Sequence, residues 1–161
     1  MTIAEFILQD VQRELPMTRR VLAQTPDDKL DWQSHPEVHT ISWNVDHLVD
    51  VASWTPTILV TADLDISPEG GADPPAHYVK QSDFLAAFDR NAAATIKSLQ
   101  GVSDATMAEP WSLKTGSHTL FTMNKGDCLR KWIVSHLSHH RGILSTHLRQ
   151  AGVKINSIFE E

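Results

Sequence analysis

Two histidines one helical turn apart lie on the apolar face of a long predicted helix, a position where imidazoles are unusual. At about 100° per residue, the apolar face of residues 124–150 contains Leu129, Trp132, Ile133, His136, His140, Ile143 and His147. His136 and His140 are at positions i and i+4, so their Cβ atoms are about 6 Å apart. Imidazole nitrogens bind divalent metals at about 2.0–2.1 Å, and two imidazoles so placed can converge on one ion.

A third histidine, His47, has the same unusual placement on the second predicted helix. It lies in the middle of an apolar stripe formed by Trp43, His47, Val51, Trp54 and Ile58. An unpaired buried imidazole costs about 1–3 kcal/mol, and three close together disfavour one another's protonation. A divalent cation bound by neutral nitrogens would remove both penalties. A single histidine on such a stripe is ordinarily a hydrogen-bonded core residue, so the metal hypothesis depends on the convergence of all three.

The other six of the nine histidines are interpreted differently. His139 lies some 60° off the stripe, which favours helix packing or a hydrogen bond to a ligand over direct ligation. His147 either packs in the core or lines the cavity that the three histidines would share. Trp43 and Trp54 could form the apolar wall of that cavity. The histidines in predicted loops are interpreted as solvated; they are His35, His39, His77 and His118.

Four helices are needed to position these side chains, and no segment is typical of a sheet. The helices are predicted at about residues 2–24, from Thr40 or Ser42 to about 61, from a Ser82 cap to about 99, and at about 124–150. Pro16 predicts a kink or break in the first helix, and Pro56 a bend or interruption in the second. Residues 62–79 have the composition of a loop, and residues 119–123 could form a short extended piece. The pattern predicts an all-α four-helix bundle with a long crossover connection.

Composition narrows the class of protein further. The 161 residues carry a formal charge of −6 and one cysteine, which predicts a single domain spanning 1–161 without disulfides. The acidic balance argues against nonspecific nucleic-acid binding. An acidic N-terminal stretch and the lack of long apolar runs favour a soluble, cytoplasmic protein with no membrane partner.

Several motifs in this order resemble the DinB-like (DinB/YfiT-type) proteins over nearly the whole chain. Residues 136–142 match the pattern H-x-x-H-H-R-G, and His147-Leu148-Arg149 with Gly152 is similar to the Tyr-Leu-Arg…Gly that follows it in the family. Residues 26–32 and 43–48 resemble the family's first loop and the histidine of its second helix, and residues 119–123 its entry to the last helix. The sequence departs from the family at His147, which replaces the tyrosine, and in its tail at residues 156–161.

The resemblance implies an up-up-down-down four-helix bundle, often homodimeric, that binds a divalent metal through His47, His136 and His140. Zinc and nickel are the ions it implies most strongly. Some members are metal-dependent S-transferases that use thiols such as bacillithiol or mycothiol, and the family is named for damage-inducible expression.

Three histidines leave a divalent ion an open coordination position, which is typical of a catalytic site. The hypothesis is that an external low-molecular-weight thiol ionises at the metal and attacks a small electrophile. The alternative is a metal-binding stress protein without catalysis. Asp46 or Asp50 could orient a ligand imidazole, although a solvated helix face is the ordinary interpretation of both. Cys128 is expected to be buried and structural, and Arg141 to pair on the helix surface or at a subunit contact.

Overall fold

A computed structural model describes residues 1–68, 70 and 75–159. Part of the predicted loop at 62–79, and residues 160–161 of the atypical tail, lie outside this range. The helices are α1 (Ile3–Leu22), α2 (Ile41–Val51), α3 (Trp54–Val60), α4 (Gln81–Leu99), α5 (Asp104–Ala108), α6 (Lys125–Leu129) and α7 (His136–Gln150), with a short 3₁₀ turn at Asp27–Lys29. No helix among the described residues is long and apolar enough to cross a membrane.

Helix α1 is continuous through Pro16, so the predicted break is absent. The helix begins at Thr2, whose side chain accepts from the backbone N–H of Glu5 while the Glu5 carboxylate accepts from the N–H of Thr2. Proline has no N–H to donate to the carbonyl four residues earlier, which here belongs to Gln12. Pro16 and Gln12 are both exposed, so water can satisfy that carbonyl and the helix continues.

The second predicted helix is divided into α2 and α3, as Pro56 leads one to expect. A proline ring clashes with the carbonyl of residue i−4, here Ala52, and supplies no N–H to it. The helix accordingly ends at Val51, and α3 begins at Trp54. The Ala52 carbonyl accepts a hydrogen bond of 2.8 Å from the buried hydroxyl of Thr95 on α4 instead.

A small sheet corrects the prediction that the chain is purely helical. Strands β1 (Asp63–Asp65), β2 (Pro110–Thr115) and β3 (His118–Asn124) lie in the order β1-β2-β3, with β1 parallel and β3 antiparallel to β2. Gly116 has a φ of +59° in the turn between β2 and β3, a conformation that favours glycine. The expected extended piece at 119–123 lies within β3. On β2, the buried Trp111 donates from its indole nitrogen to the Thr61 hydroxyl.

The last predicted helix contains an irregular segment. The chain is helical from Lys125 to Gln150, but residues Arg130–Ser135 are π-helical, directly before α7 begins at His136. Single π-helical turns within α-helices occur frequently at functional sites. A serine cap was also expected for α4, but Lys80 precedes its first residue and Ser82 lies inside it.

The main helices form a bundle in which α1 and α2 each pack against α4 and α7. Helices α1 and α4 are antiparallel, because Arg19, near the end of α1, pairs with Asp89 in the first half of α4. Helices α1 and α7 are parallel, because Arg141 of α7 contacts Glu14 of α1, and Asn156, beyond α7, bonds to Gln24, just beyond α1.

Helix α2 runs antiparallel to α7, since Asn44 faces His140 and His47 faces His136. The helices α1, α2, α4 and α7 therefore point up, down, down and up in chain order, and the up-up-down-down prediction is wrong. Residues 23–40 return the chain at the same end of the bundle, so α2 reverses direction relative to α1. Because α2 and α4 point the same way, the connection between them must cross the length of the bundle, in agreement with the predicted long crossover.

Arg141 is buried, contrary to the expectation of a surface or subunit contact. Its guanidinium donates to the Glu14 carboxylate at 2.6 Å and lies 3.4 Å from the hydroxyl of Thr18. Angular counting within α7 did not reveal this contact, because α7 packs against α1 as well as α2. The ion pair joins α1 to α7 one residue after His140.

We predict that Thr95→Val destabilises the protein by about 1–3 kcal/mol, because it leaves the Ala52 carbonyl buried and unsatisfied. Chemical denaturation of the two proteins measures the difference. Ser98→Ala, which removes a hydroxyl that bonds only within α4, is the matched control and should be nearly neutral. Equal effects of the two substitutions would contradict this account of the α2–α3 break.

Candidate metal centre

The structure brings His47, His136 and His140 together at the contact between α2 and α7. One potential ligand atom of each lies within 4.8 Å of those of the other two. The Nε2 atoms of His47 and His136 are 3.1 Å apart, and the His47 and His140 rings are 4.4 Å apart between centroids. These three were selected by their spacing in the sequence, and the antiparallel packing of the two helices makes them neighbours.

A π-helical segment directly precedes this pair, and Leu129 and Ile133, which the angular arithmetic placed on the same apolar face, are both buried. A π-helix bonds residue i to i+5, so each residue advances by less than 100°. Trp132 and Ile133 lie inside that segment, and their directions therefore differ from those of a uniform α-helix. His136 and His140 both follow it, at the beginning and inside of α7, and keep their i, i+4 relation.

The site keeps its imidazoles neutral at pH 7. Burial, followed by the proximity of His140, His136 and His39, lowers the pKa of His47 to about 3. Burial and then His136 are the main causes that lower the pKa of His140 to about 4, and burial also lowers the pKa of His136. Neutral imidazole is the form that ligates metal, so no proton has to be displaced from a cation at neutral pH.

Tryptophans surround the three histidines. The Trp43 ring stacks on His47 at 4.7 Å, and Trp54 lies 5.6 Å from His136. Trp132, from the π-helical segment, meets His136 edge-on at 5.6 Å. Trp43 is 37% exposed and His47 and His136 are half-buried, so the site has an apolar wall and access from solvent.

Two loop histidines lie closer to the site than predicted. His39 is exposed but stacks face to face on Trp43, with ring centroids 3.6 Å apart. His77 lies 2.7 Å from an Asp46 oxygen and so ties the crossover connection to α2. In the sequence, the four-residue spacing of His39 and Trp43 was the only local feature that pointed to their contact. The second contact joins residues 31 apart, and no local pattern reveals it.

Neither aspartate beside His47 bonds to a ligand imidazole in the structure. The Asp46 carboxylate accepts from the backbone N–H of Tyr78 and contacts His77, so it anchors the crossover. Burial raises the pKa of Asp50, and its contact with the Trp54 side chain opposes that shift. Among the described residues, no carboxylate belongs to the metal-ligating cluster.

The remaining sequence candidates lie around the cluster. The exposed His139 has its ring centroid 4.8 Å from that of His140, and His147 is 8% exposed and meets Trp32 edge-on at 6.0 Å. Together with neighbouring residues of α7, these two histidines line a shallow groove of about 350 Å³. Cys128 is buried, as expected, and burial raises the pKa of its thiol to about 11.

The donor set fits a divalent cation. Three neutral imidazoles place one potential ligand atom each within 4.8 Å of the others, and three such ligands leave coordination positions open on a divalent ion. Nε2 of His136 faces the cluster, and its Nδ1 is buried without a well-formed hydrogen bond among the described residues. His47, His136 and His140 would hold the ion. Donor chemistry alone does not identify which ion, because three histidines suit several.

Comparison with known proteins agrees with this fold. The DinB superfamily matches residues 11–144, and the chain therefore belongs to that superfamily. A DinB-like protein from Bacillus cereus ATCC 10987 superposes with a TM-score of 0.68 at 18% identity, over 96% of this chain and 97% of the other.

YfiT from Bacillus subtilis superposes with a TM-score of 0.69 at 16% identity, over 94% of this chain and 89% of the other. YfiT is described as a probable metal-dependent hydrolase with an unusual four-helix bundle topology. At these identities the two structures support the fold alone. No curated protein matches the sequence significantly.

We predict that the untagged protein binds one equivalent of a divalent metal and that His140→Ala loses it. A polyhistidine tag is omitted because it binds nickel itself. Elemental analysis after gel filtration measures the stoichiometry. Chelation should lower the melting temperature of the wild type but not that of His140→Ala, because bound metal stabilises the native state. The exposed His118→Ala is the matched control. Stoichiometric metal retained in His140→Ala would exclude the three-histidine site.

We predict that His147→Phe makes the protein less sensitive to acid. Burial lowers the pKa of His147 in the folded state, below its unfolded value of about 6.5. As pH falls below about 6.5, the unfolded chain gains a proton that the folded chain resists, so this histidine reduces stability in acid and not above pH 7. The melting temperatures of the metal-free proteins are measured from pH 7.5 to 5.0. The melting temperature of the variant should exceed that of wild type by an amount that grows as the pH falls. His118→Phe is the control, and a pH-independent difference for His147→Phe would contradict the prediction.

Proposed function

We propose that the protein is a divalent-metal-dependent S-transferase, which activates a low-molecular-weight thiol for attack on a small electrophile. The observation that carries this proposal is a cluster of three histidines without a carboxylate among the described residues. Metal-dependent hydrolysis commonly uses a carboxylate as the base for water, as in zinc sites that pair two histidines with a glutamate base. A thiol has a pKa nearer neutrality than water, so metal coordination is enough to ionise it.

The thiol would come from outside the chain. Cys128 is buried with its pKa raised to about 11, and it does not belong to the histidine cluster, so it is a poor source of thiolate. A divalent ion, when bound, supplies the Lewis acidity that ionises the external thiol. The chain's own part is to hold His47, His136 and His140 neutral and to exclude water with tryptophan side chains.

The reaction is a substitution at the electrophile. The thiol sulfur forms a bond to carbon, the leaving group departs with the bonding electron pair, and the thiol proton passes to solvent. Trp43, Trp54 and Trp132 would provide apolar contact for the electrophile beside the imidazoles. Trp43 is 37% exposed, so the thiol and the electrophile would reach the site from solvent beside this side chain.

We further propose zinc or nickel as the ion, bacillithiol or mycothiol as thiols of the right class, a homodimer as the assembly and the cytoplasm as the location. Family resemblance supports the ion, the thiols and the assembly. The negative charge argues against nucleic acid as a partner. A non-catalytic, damage-inducible metal-binding protein is the alternative function.

Turnover of chlorodinitrobenzene with cysteine, glutathione, bacillithiol or mycothiol tests the proposal. We expect a thiol-dependent rate above background for the zinc- or nickel-loaded protein, and background for the chelated protein and for His140→Ala. His118→Ala should behave as wild type, because His118 lies on β3 outside the cluster.

Two other outcomes would decide against S-transfer. Metal-dependent hydrolysis of a nitrophenyl ester, with no thiol-dependent rate, would favour a hydrolase. Stoichiometric metal without either rate across these thiols would favour the non-catalytic alternative.

A further inference from the structure

Asn44 is a buried polar side chain that the metal ligands do not include. It lies in the first part of α2, three residues before His47, and is 1% exposed. Asparagine is unfavourable inside helices because its amide competes with backbone hydrogen bonds. Burial of an amide also costs free energy unless its polar atoms find partners. Its presence at this position therefore requires specific partners.

One side of the amide is fixed by the backbone. Nδ2 of Asn44 donates to the carbonyl of Thr40 at 2.9 Å, and the backbone N–H of Asn44 donates to the same carbonyl. Thr40 is the N-cap of α2 and is held by its own hydrogen bond to the N–H of Trp43. A flipped amide would place two oxygens against each other, so Nδ2 must face Thr40 and Oδ1 must face the other way.

The other side of the amide faces a metal-ligand candidate. Oδ1 of Asn44 lies 3.4 Å from Nδ1 of His140, which is the most buried of the three histidines at 9% exposure. Because Oδ1 can only accept, Nδ1 of His140 must carry the hydrogen of the neutral ring. The lone pair is then on Nε2, the same atom by which His47 and His136 approach each other.

We propose that Asn44 is a positioning residue of the metal centre: its side-chain oxygen holds His140 in the Nδ1–H tautomer and so presents Nε2 to the ion. Helix α2 thus supplies one ligand, His47, and the group that orients a ligand on α7. Outer hydrogen bonds of this kind set the orientation of metal-binding imidazoles and are worth about 10–100-fold in metal affinity. This inference depends on metal binding by the three histidines and not on the proposed thiol chemistry.

The first test is the tautomer of His140 in metal-free wild type. Long-range ¹H–¹⁵N spectra distinguish the two neutral tautomers, and the signals that disappear in His140→Ala identify the residue. We expect the Nδ1–H form in wild type. In Asn44→Leu, we expect a mixture of the two neutral tautomers of His140. An Nε2–H tautomer in wild type would overturn the proposal without any variant.

The second test is zinc affinity, measured by competition with a chromophoric chelator. We expect Asn44→Leu to bind Zn²⁺ about 10–100-fold more weakly than wild type. The matched control is Asn91→Leu on α4, which removes an amide that also donates to the α2 backbone but does not touch a histidine of the cluster. Circular dichroism checks that each variant is folded.

The outcomes separate this proposal from the function on which it depends. A wild type that binds no zinc overturns both the metal site and the role of Asn44 in it. A wild type that binds zinc while Asn44→Leu binds it equally well overturns the role of Asn44 alone. Equal losses in Asn44→Leu and Asn91→Leu would also overturn it, since they would indicate a general packing effect.

Discussion

The close approach of three imidazoles between α2 and α7 is the constraint on which the rest of the site depends. Each ring is partly desolvated, and each disfavours a proton on its neighbours, so the set is stable only when neutral. Neutral rings that share a small volume must still satisfy their nitrogens. The Nε2 atoms of His47 and His136 face each other and Nδ1 of His140 faces Asn44, whereas Nδ1 of His136 has no well-formed hydrogen bond among the described residues. A divalent cation would satisfy the facing Nε2 atoms of His47 and His136 together with the second ring nitrogen of His140.

Irregularities in the helices position this cluster. Pro56 ends α2 early, and Thr95 of α4 satisfies the carbonyl that is released, which holds α2 against α4. The π-helical segment Arg130–Ser135 leads directly into His136. The buried pair of Arg141 and Glu14 holds α7 against α1. Side chains from both neighbouring helices therefore anchor the two helices that carry the histidines.

Sequence patterns predicted the elements that depend on local spacing. Periodicity located the main helices, and the i, i+4 relation of His136 and His140 follows from helix geometry alone. The sheet was missed because β1 has only 3 residues and pairs with a strand far away in the chain, while residues 101–123 show no regular hydrophobic pattern. The helix directions were also wrong, because they depend on which connection travels the length of the bundle, and loop composition contains no information about that path.

By itself, the sequence determined which side chains share a helix face, because a helix repeats every 3.6 residues whatever surrounds it. That was enough to select His47, His136 and His140, and the order of the sequence motifs identified the superfamily. Tertiary structure alone decided which faces meet. In the folded chain Asn44 contacts His140, Asp46 accepts a hydrogen bond from the crossover, and Arg141 is buried against Glu14. These contacts join residues distant in the chain, and they form only where packing of the whole bundle brings two helices into register.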